Sequence, residues 1–308
     1  MLNWAIDGFW GYSVSEAVLY LLVVTHITIV SVTVYLHRFS AHRSILLGPV
    51  IAHFFRFWLW LTTGQVTREW TAVHRKHHAE CESLDDPHSP VKQGLPKILW
   101  NGVEVYKSAI ADKETLSRYG KGCPDDWLEH HLYCRNSLGI TLMLVLDLFF
   151  FGVLGITIWA IQMVWIPFFA AGIINGVGHS IGYRNFESPD ASRNILPWGI
   201  LIGGEELHNN HHTYPNSAKL SRKNYEFDIG WLWIKLFCLL GLASVVSRGP
   251  IVRRIVVKQK LDTESVWALL NDRFSVMSRY AEEVVAPVVE AEYKKADKAG
   301  RKLFKKAT

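Results

Sequence analysis

The stretch LGITLMLVLDLFFFGVLGITIWAIQMVWIPFFAAGIINGVG, residues 138–178, runs about 40 residues with Asp147 as its only formal charge. A helix needs about 20 mainly apolar residues to cross the hydrocarbon core of a bilayer. The run is long enough for two such helices, and Gly152–Gly155 marks the expected turn between them. Upstream, AVLYLLVVTHITIVSVTVYL (17–36) supplies one more span, with one histidine and no formal charge. It lacks the basic leader and small-residue cleavage site of a secretory signal. Mean hydropathy is only +0.10 and 20% of residues are charged, values that a soluble enzyme also shows. The uneven distribution decides instead for an all-α integral membrane protein with about three transmembrane helices.

Two further apolar runs are short and carry polar groups: PVIAHFFRFWLWLTTG (49–64), with His53 and Arg56, and WLWIKLFCLLGLASVV (231–246), with Lys235. Both are expected to lie in the membrane interface, the first with its apolar face down and Arg56 up. Were 49–64 to cross, the histidines at 37–42 and at 74–78 would fall on opposite sides. Residues 1–16 contain no Lys or Arg, whereas Arg38, Arg43, Arg68, Arg75 and Lys76 follow the first span. Cytoplasmic loops are enriched in such residues, which places the N-terminus outside and residues 37–136 in the cytoplasm. The hairpin then returns the chain to the cytoplasm, where Arg184 and Arg193 follow.

The expected organisation is a membrane domain, residues 1–247, and a basic cytoplasmic helical tail, residues 248–308. RRIVVKQK and KKADKAGRKLFKK give the tail its charge. Cys81, Cys123, Cys134 and Cys238 are far apart and suggest neither a disulfide framework nor an iron–sulfur site. GVGHSIG (176–182) follows a membrane helix rather than a strand and therefore fails as a dinucleotide loop. No feature implies a nucleic-acid partner.

Histidine is concentrated in four places: HRFSAH (His37, His42), HRKHH (His74, His77, His78), NGVGH (Asn175, His179) and HNNHH (His208, His211, His212). Positions i, i+3 and i+4 share a helix face, so each HxxHH triplet is expected to present its imidazoles in one direction. His37 and His42, five apart, would diverge on a regular helix and are expected to straddle the end of the first span. Neutral imidazole is the commonest metal ligand and suits Zn, Cu, Fe and Ni. The number of donors exceeds the four a zinc ion usually takes and suits two metals. His26 and His53 read as structural residues; His88, His130 and His131 read as loop residues or outer partners of the ligands.

HRFSAH, HRKHH and HNNHH, with REWTAVHRKHH, DDPHSP, NGVGHSIGYRNF, GGEELHNNHHTYPNS and YEFDIGWLWI, resemble the membrane fatty acid desaturases. Within them, the likeness is to the delta-9, stearoyl-CoA-desaturase-like branch in a bacterial form, over roughly residues 17–245. The resemblance implies membrane helices beneath a cytoplasmic helical cap, with two non-haem irons between them, in a bacterial inner membrane. One iron would take His37, His42, His74, His78 and His212. The second would take His77, His179, His208 and His211, with Asn175 acting through a water. The implied reaction places a cis double bond in a saturated acyl chain, for fatty acid biosynthesis, with dioxygen and two electrons from an external ferredoxin or flavoprotein reductase. Trp70 is expected to line the acyl tunnel, and Glu69 with Asp85 or Asp86 to fix imidazole tautomers.

Two departures from the animal enzymes stand out. Those carry an additional span before the first box, where this chain has room for one only. They also carry an Arg-Asp pair before the second box that helps hold CoA, where this chain has Ala72 and Val73. The substrate is thus acyl-CoA or a phospholipid-bound acyl chain. The rival readings are another membrane di-iron oxygenase, a hydroxylase or ketolase, and a metal transporter.

Overall fold

Ser13 starts the first helix. Its hydroxyl accepts from the Glu16 N–H while the Glu16 carboxylate accepts from the Ser13 N–H, a reciprocal cap. In this computed structural model, which describes residues 6, 8–9, 11–249, 263, 266, 280 and 284–295, helix α1 then runs unbroken over Val14–Ala41. From Val32 onward it widens into a π-helix, so the His42 N–H reaches the His37 carbonyl at 3.0 Å. Residues five apart therefore come into line, and His37 and His42 straddle the end of the first span as expected, with Ala41 the last helical residue and His42 its cap.

Strand β1 (Ile45–Leu47) follows, then α2 (Pro49–Thr63), which begins on a proline and stops at Gly64 with φ +64°. Arg56 on α2 is buried, not directed to water. It is clamped by Asp126 through two hydrogen bonds and by Glu129 through two more, with Tyr133 under its guanidinium. Asp126 precedes the π-helical turn Glu129–Tyr133 and Glu129 opens it, a segment that sequence periodicity does not place near α2. Helix α3 (Thr67–Ala79) carries the second box, and α4 (Pro90–Gln93), α5 (Leu95–Ala111) and α6 (Lys113–Tyr119) complete that region.

The long apolar run forms the expected hairpin: α7 (Asn136–Phe151), a break at Gly152 with φ +58°, and α8 (Leu154–His179). Helices α1 and α8 are each long and apolar enough to cross a membrane. Helix α7 is apolar throughout but 16 residues long, about 24 Å of rise against a hydrocarbon core of about 30 Å. Val18, Leu19 and Leu22 on α1, with Leu142 and Val145 on α7 and Ile156 and Val164 on α8, are exposed. Such a broad apolar exterior is stable against lipid rather than water, and the protein is membrane-associated.

The remaining chain of this unit is built from short elements. β2 (Trp198–Gly199) pairs in parallel with β3 (Phe227–Asp228), and between them lies α9 (His208–Thr213). Asp228 caps α10 (Ile229–Leu239) by accepting from the Trp231 N–H. The 231–246 run is not one interfacial helix: the helix ends at Leu239, and β4 (Ala243–Val245) pairs antiparallel with β1. A core of Val34, Tyr35, Leu36, Ile45, Phe55, Leu59 and Ile234 holds the first box against α2 and α10.

The chain divides into two compact units, Met1–Arg248 and Gly249–Thr308. In the second unit the described residues include α11 (Ala286–Lys295), with Lys294–Glu290 and Lys295–Glu292 ion pairs. Most of the rest of the expected helical tail lies outside the described residues.

Candidate metal centre

Two histidine clusters form where α1, α3, α8 and α9 end. In the first, the Nε2 atoms of His42 and His74 are 2.8 Å apart, those of His37 and His211 3.1 Å, and those of His211 and His78 2.8 Å. In the second, Nε2 of His208 is 3.0 Å from that of His179, and Nε2 of His77 is 3.4 Å from that of His212. Donor atoms of His37, His42, His74 and His211 all lie within 4.8 Å of one another, as do those of His77, Cys81, His179 and His212.

Successive helical residues are about 100° apart around the axis, so the adjacent histidines of each HxxHH box splay. His77 turns from His74 and His78 toward the second cluster, and His211 turns from His208 and His212 toward the first. The three imidazoles of a box thus do not act in one direction. This reverses the expected membership of the last two: His211 groups with the first cluster and His212 with the second.

Carboxylates stand behind the rings. Glu205 lies 2.9 Å from His37 Nδ1, Asp86 3.0 Å from His77 Nδ1, Asp190 3.0 Å from His212 Nδ1, and Glu82 3.4 Å from His179 Nδ1. A carboxylate accepting from the outer ring N–H, as Asp86, Asp190 and Glu82 do, leaves Nε2 unprotonated and fixes the ring's rotation; Glu205 is a close charged neighbour of His37. Asp86 has this part and Asp85, which is exposed, does not. Glu69 lines a neighbouring cavity instead. Sequence reasoning does not find Glu82, Asp190 or Glu205. GGEELHNNHH holds the only signal, a glutamate pair placed just before a box. Glu82 has φ +60°, uncommon for a residue with a side chain, and its Oε1 also accepts from the Ala191 N–H at 2.6 Å.

The two asparagines of HNNHH explain how so short a helix is held. Asn209 accepts from the Asn185 and Phe186 N–H groups; Asn210 donates to the Leu220 carbonyl and to Glu226. Both are wholly buried. Arg38, also buried, donates to Asp228 at 2.9 Å and so ties the first box to the start of α10. Gly230 packs so closely on that guanidinium that a Cβ there has no room.

Burial, and after it the neighbouring imidazoles, pushes His74, His78, His208, His211 and His212 well below the ordinary histidine pKa. They are neutral at pH 7, the form that binds metal. The donor set fits a metal on a second ground. His211 Nε2 faces both His37 Nε2 and His78 Nε2, and one ring nitrogen cannot serve two others with its single lone pair or hydrogen. A cation among them satisfies all three. Cys81 sits 4.0 Å from His212 Nδ1, but burial and the nearby Asp190, Asp86 and Glu82 carboxylates raise its pKa and keep it a thiol.

A cavity of about 280 Å³ opens beside the clusters. It is lined by His37, His74 and His208, by Trp70 and Val73 of α3, and by Met163, Ile166 and Ile174 of α8. Trp70 stacks on His74 with ring centroids 4.7 Å apart. Asn175 also lines the cavity. The second helix of the hairpin fits closely against α5: a Cβ on Gly172 would come within 2.8 Å of the Leu99 carbonyl.

Other histidines have local partners. His26 accepts from Trp233 Nε1 at 2.9 Å, and His53 lies beside Tyr133. His130 and His131 are exposed, one beside Asp125 and the other at the Trp127 carbonyl. His88 is buried with its ring centroid 4.4 Å from that of His77.

Comparison with known proteins gives a match to the fatty acid desaturase family model over residues 15–226. An sn-1 stearoyl-lipid 9-desaturase of Synechocystis is 32% identical over 225 residues, covering 72% of this chain and 68% of the relative. The Delta-9 acyl-lipid desaturase 2 of Arabidopsis thaliana is 29% identical, covering 70% of each chain. An sn-2 palmitoyl-lipid 9-desaturase of Nostoc is 32% identical, covering 59% of this chain and 64% of the relative.

Proposed function

The chain belongs to the fatty acid desaturase family, and we propose from that premise that it is a delta-9-type acyl-lipid desaturase with iron in both histidine clusters. Fatty acyl desaturation with dioxygen is the family's activity and this chain's. The observation that carries the finer reading is the sharing of one wall between the imidazoles and an apolar cavity. Removing hydrogen from unactivated methylenes needs an oxidant that no side chain supplies, and two irons would supply it with dioxygen. His37, His42, His74, His78 and His211 would hold one, and His77, His179, His208 and His212 the other, with Asn175 nearby as a water-mediated partner.

The chain's own residues do the positioning. Each methylene buried contributes about 0.8 kcal/mol, so the cavity wall of Trp70, Val73, Met163, Ile166 and Ile174 can hold an acyl chain along its length. The acyl chain offers few functional groups; the wall's shape selects the carbon presented to His37, His74 and His208. Asp86, Asp190 and Glu82 keep the imidazoles they face deprotonated at Nε2 and unable to rotate away, with Glu205 a close charged neighbour of His37. Ala72 and Val73 are buried and offer no charge for a CoA group, which favours an acyl group carried on a lipid. The acyl-lipid names of the relatives agree.

In this reading α7 crosses the membrane with α1 and α8, giving three spans, and α2 and α10 lie at the interface. The clusters face the cytoplasm of a bacterial inner membrane under a helical cap. Electrons arrive from an external ferredoxin or flavoprotein reductase. Lys107, Lys113, Arg118 and Lys121 are exposed on and beside α5 and α6 and suit an acidic partner.

Expression in a desaturation-deficient host, with gas chromatography of phospholipid and thioester pools, tests the proposal. A new cis alkene appearing first in phospholipid is expected. Its first appearance in the thioester pool would overturn the lipid carrier. A hydroxy or oxo product would replace desaturation by hydroxylation or ketolation. Loss of vesicle metal uptake in His208→Ala, with fatty acids unchanged, would support transport instead.

A further inference from the structure

We propose that the two histidine clusters are unequal metal sites, and that the one formed by His77, His179, His208 and His212 fills first and holds a divalent ion more tightly. The inference rests on the two-metal reading above and goes beyond it in assigning an order to the sites.

The difference lies behind the rings. In the second cluster three imidazoles have a carboxylate at Nδ1: Asp86 behind His77, Asp190 behind His212 and Glu82 behind His179. In the first, only His37 has one, from Glu205. Such a partner raises the basicity of the coordinating nitrogen and fixes the ring, and losing one typically costs about 10–100-fold in metal affinity.

Net charge acts in the same direction. Asp190 is held in place behind His212 by hydrogen bonds from the Ser188 hydroxyl and the Ser192 N–H. The first cluster is bordered by cations. Arg75 follows His74 and donates four hydrogen bonds, all to backbone carbonyls, including those of Ser40 and Ala41 in the first box. Arg38 is balanced by Asp228, so Glu205 and Arg75 roughly cancel at the first site, whereas three carboxylates face the second.

The first cluster has one imidazole more. A further neutral donor adds a bond but no negative charge, and a dication in a buried site is disfavoured chiefly by uncompensated charge. Two additional carboxylate partners correspond to a separation on the order of 100-fold or more.

The test is titration of the full-length, chelator-stripped protein in detergent with cobalt(II) alone. Visible absorption and bound metal per chain are the readouts, with circular dichroism as the check on folding. Two steps separated by on the order of 100-fold are expected. Asp190→Asn should weaken the tight step by about 10–100-fold and spare the weak one; Glu205→Gln should weaken only the weak step. His179→Ala removes a donor and leaves the carboxylates intact, so it should delete the tight step alone, while His42→Ala deletes the weak one. Two ions bound with equal affinity, or a tight step that answers to Glu205→Gln and not to Asp190→Asn, would overturn the proposal. A wild-type protein that binds no cobalt would instead overturn the two-metal reading itself.

Discussion

At one cluster a single carboxylate, Glu205, stands behind five imidazoles, and Arg38 and Arg75 border them; at the other, three carboxylates stand behind four. Yet both draw on the same two boxes, HRKHH and HNNHH, whose spacing is identical. The difference teaches that a histidine box is not a metal site. Each box lies on a helix that passes between the clusters, and its adjacent histidines, turned about 100° apart, are divided between them. The chemical character of each cluster then comes from residues outside the boxes: Glu82, Asp86 and Asp190 for one, Glu205 for the other.

The largest effects should follow from removing the divided histidines themselves. His211→Ala and His212→Ala are each expected to abolish alkene formation, measured by gas chromatography. They should do so by emptying different sites, the weaker for His211 and the tighter for His212. Loss of the same ion from both would break the comparison.

Next comes Arg38→Met, which leaves Asp228 buried and unpaired and should cost about 3–5 kcal/mol. Thermal unfolding in detergent measures it, and the first cluster's metal should be lost before the second's, because Arg38 anchors the first box. An unchanged melting temperature would show that Arg38 does not anchor it.

Asp86→Asn should lower affinity at the tighter site by about 10–100-fold. Asp85→Asn, at an exposed neighbour, should change stability by no more than about 0.5 kcal/mol and leave metal affinity unaltered. The pair sharpens the comparison by separating one carboxylate's hydrogen bond from the general charge of the loop. Metal titration reads both.

The smallest effect is expected from Trp70→Leu, which alters the cavity wall beside His74. KM should rise about fourfold to fifteenfold, the equivalent of burying one or two fewer methylenes of the acyl chain, with both metal steps retained. Steady-state kinetics with lipid substrate reads this, and loss of a metal step would make Trp70 part of the first cluster's frame.

Much of the architecture is legible in the sequence. Uniform apolarity over 138–178 announces the hairpin because a lipid-facing helix needs no polar stripe, and Gly152 marks its turn. The readings that fail are those that assume regular local geometry. The common direction expected of each HxxHH triplet fails because adjacent histidines splay about 100° apart, while the π-helical widening that aligns His37 with His42 leaves no mark in HRFSAH. Arg56 reads as a water-facing charge because Asp126 and Glu129 lie some 70 residues away. Residues 231–246 read as one apolar segment because the pairing of β4 with β1 is not local.

The sequence by itself determined that the protein is helical, associated with a membrane and supplied with clustered imidazoles suited to metal, because hydropathy and ligand type are properties of residues. Only the tertiary structure decided which imidazole meets which, and which carboxylate stands behind it. Those depend on the direction of side chains and on contacts between distant segments, as when His211 meets His78 and Glu205 reaches His37.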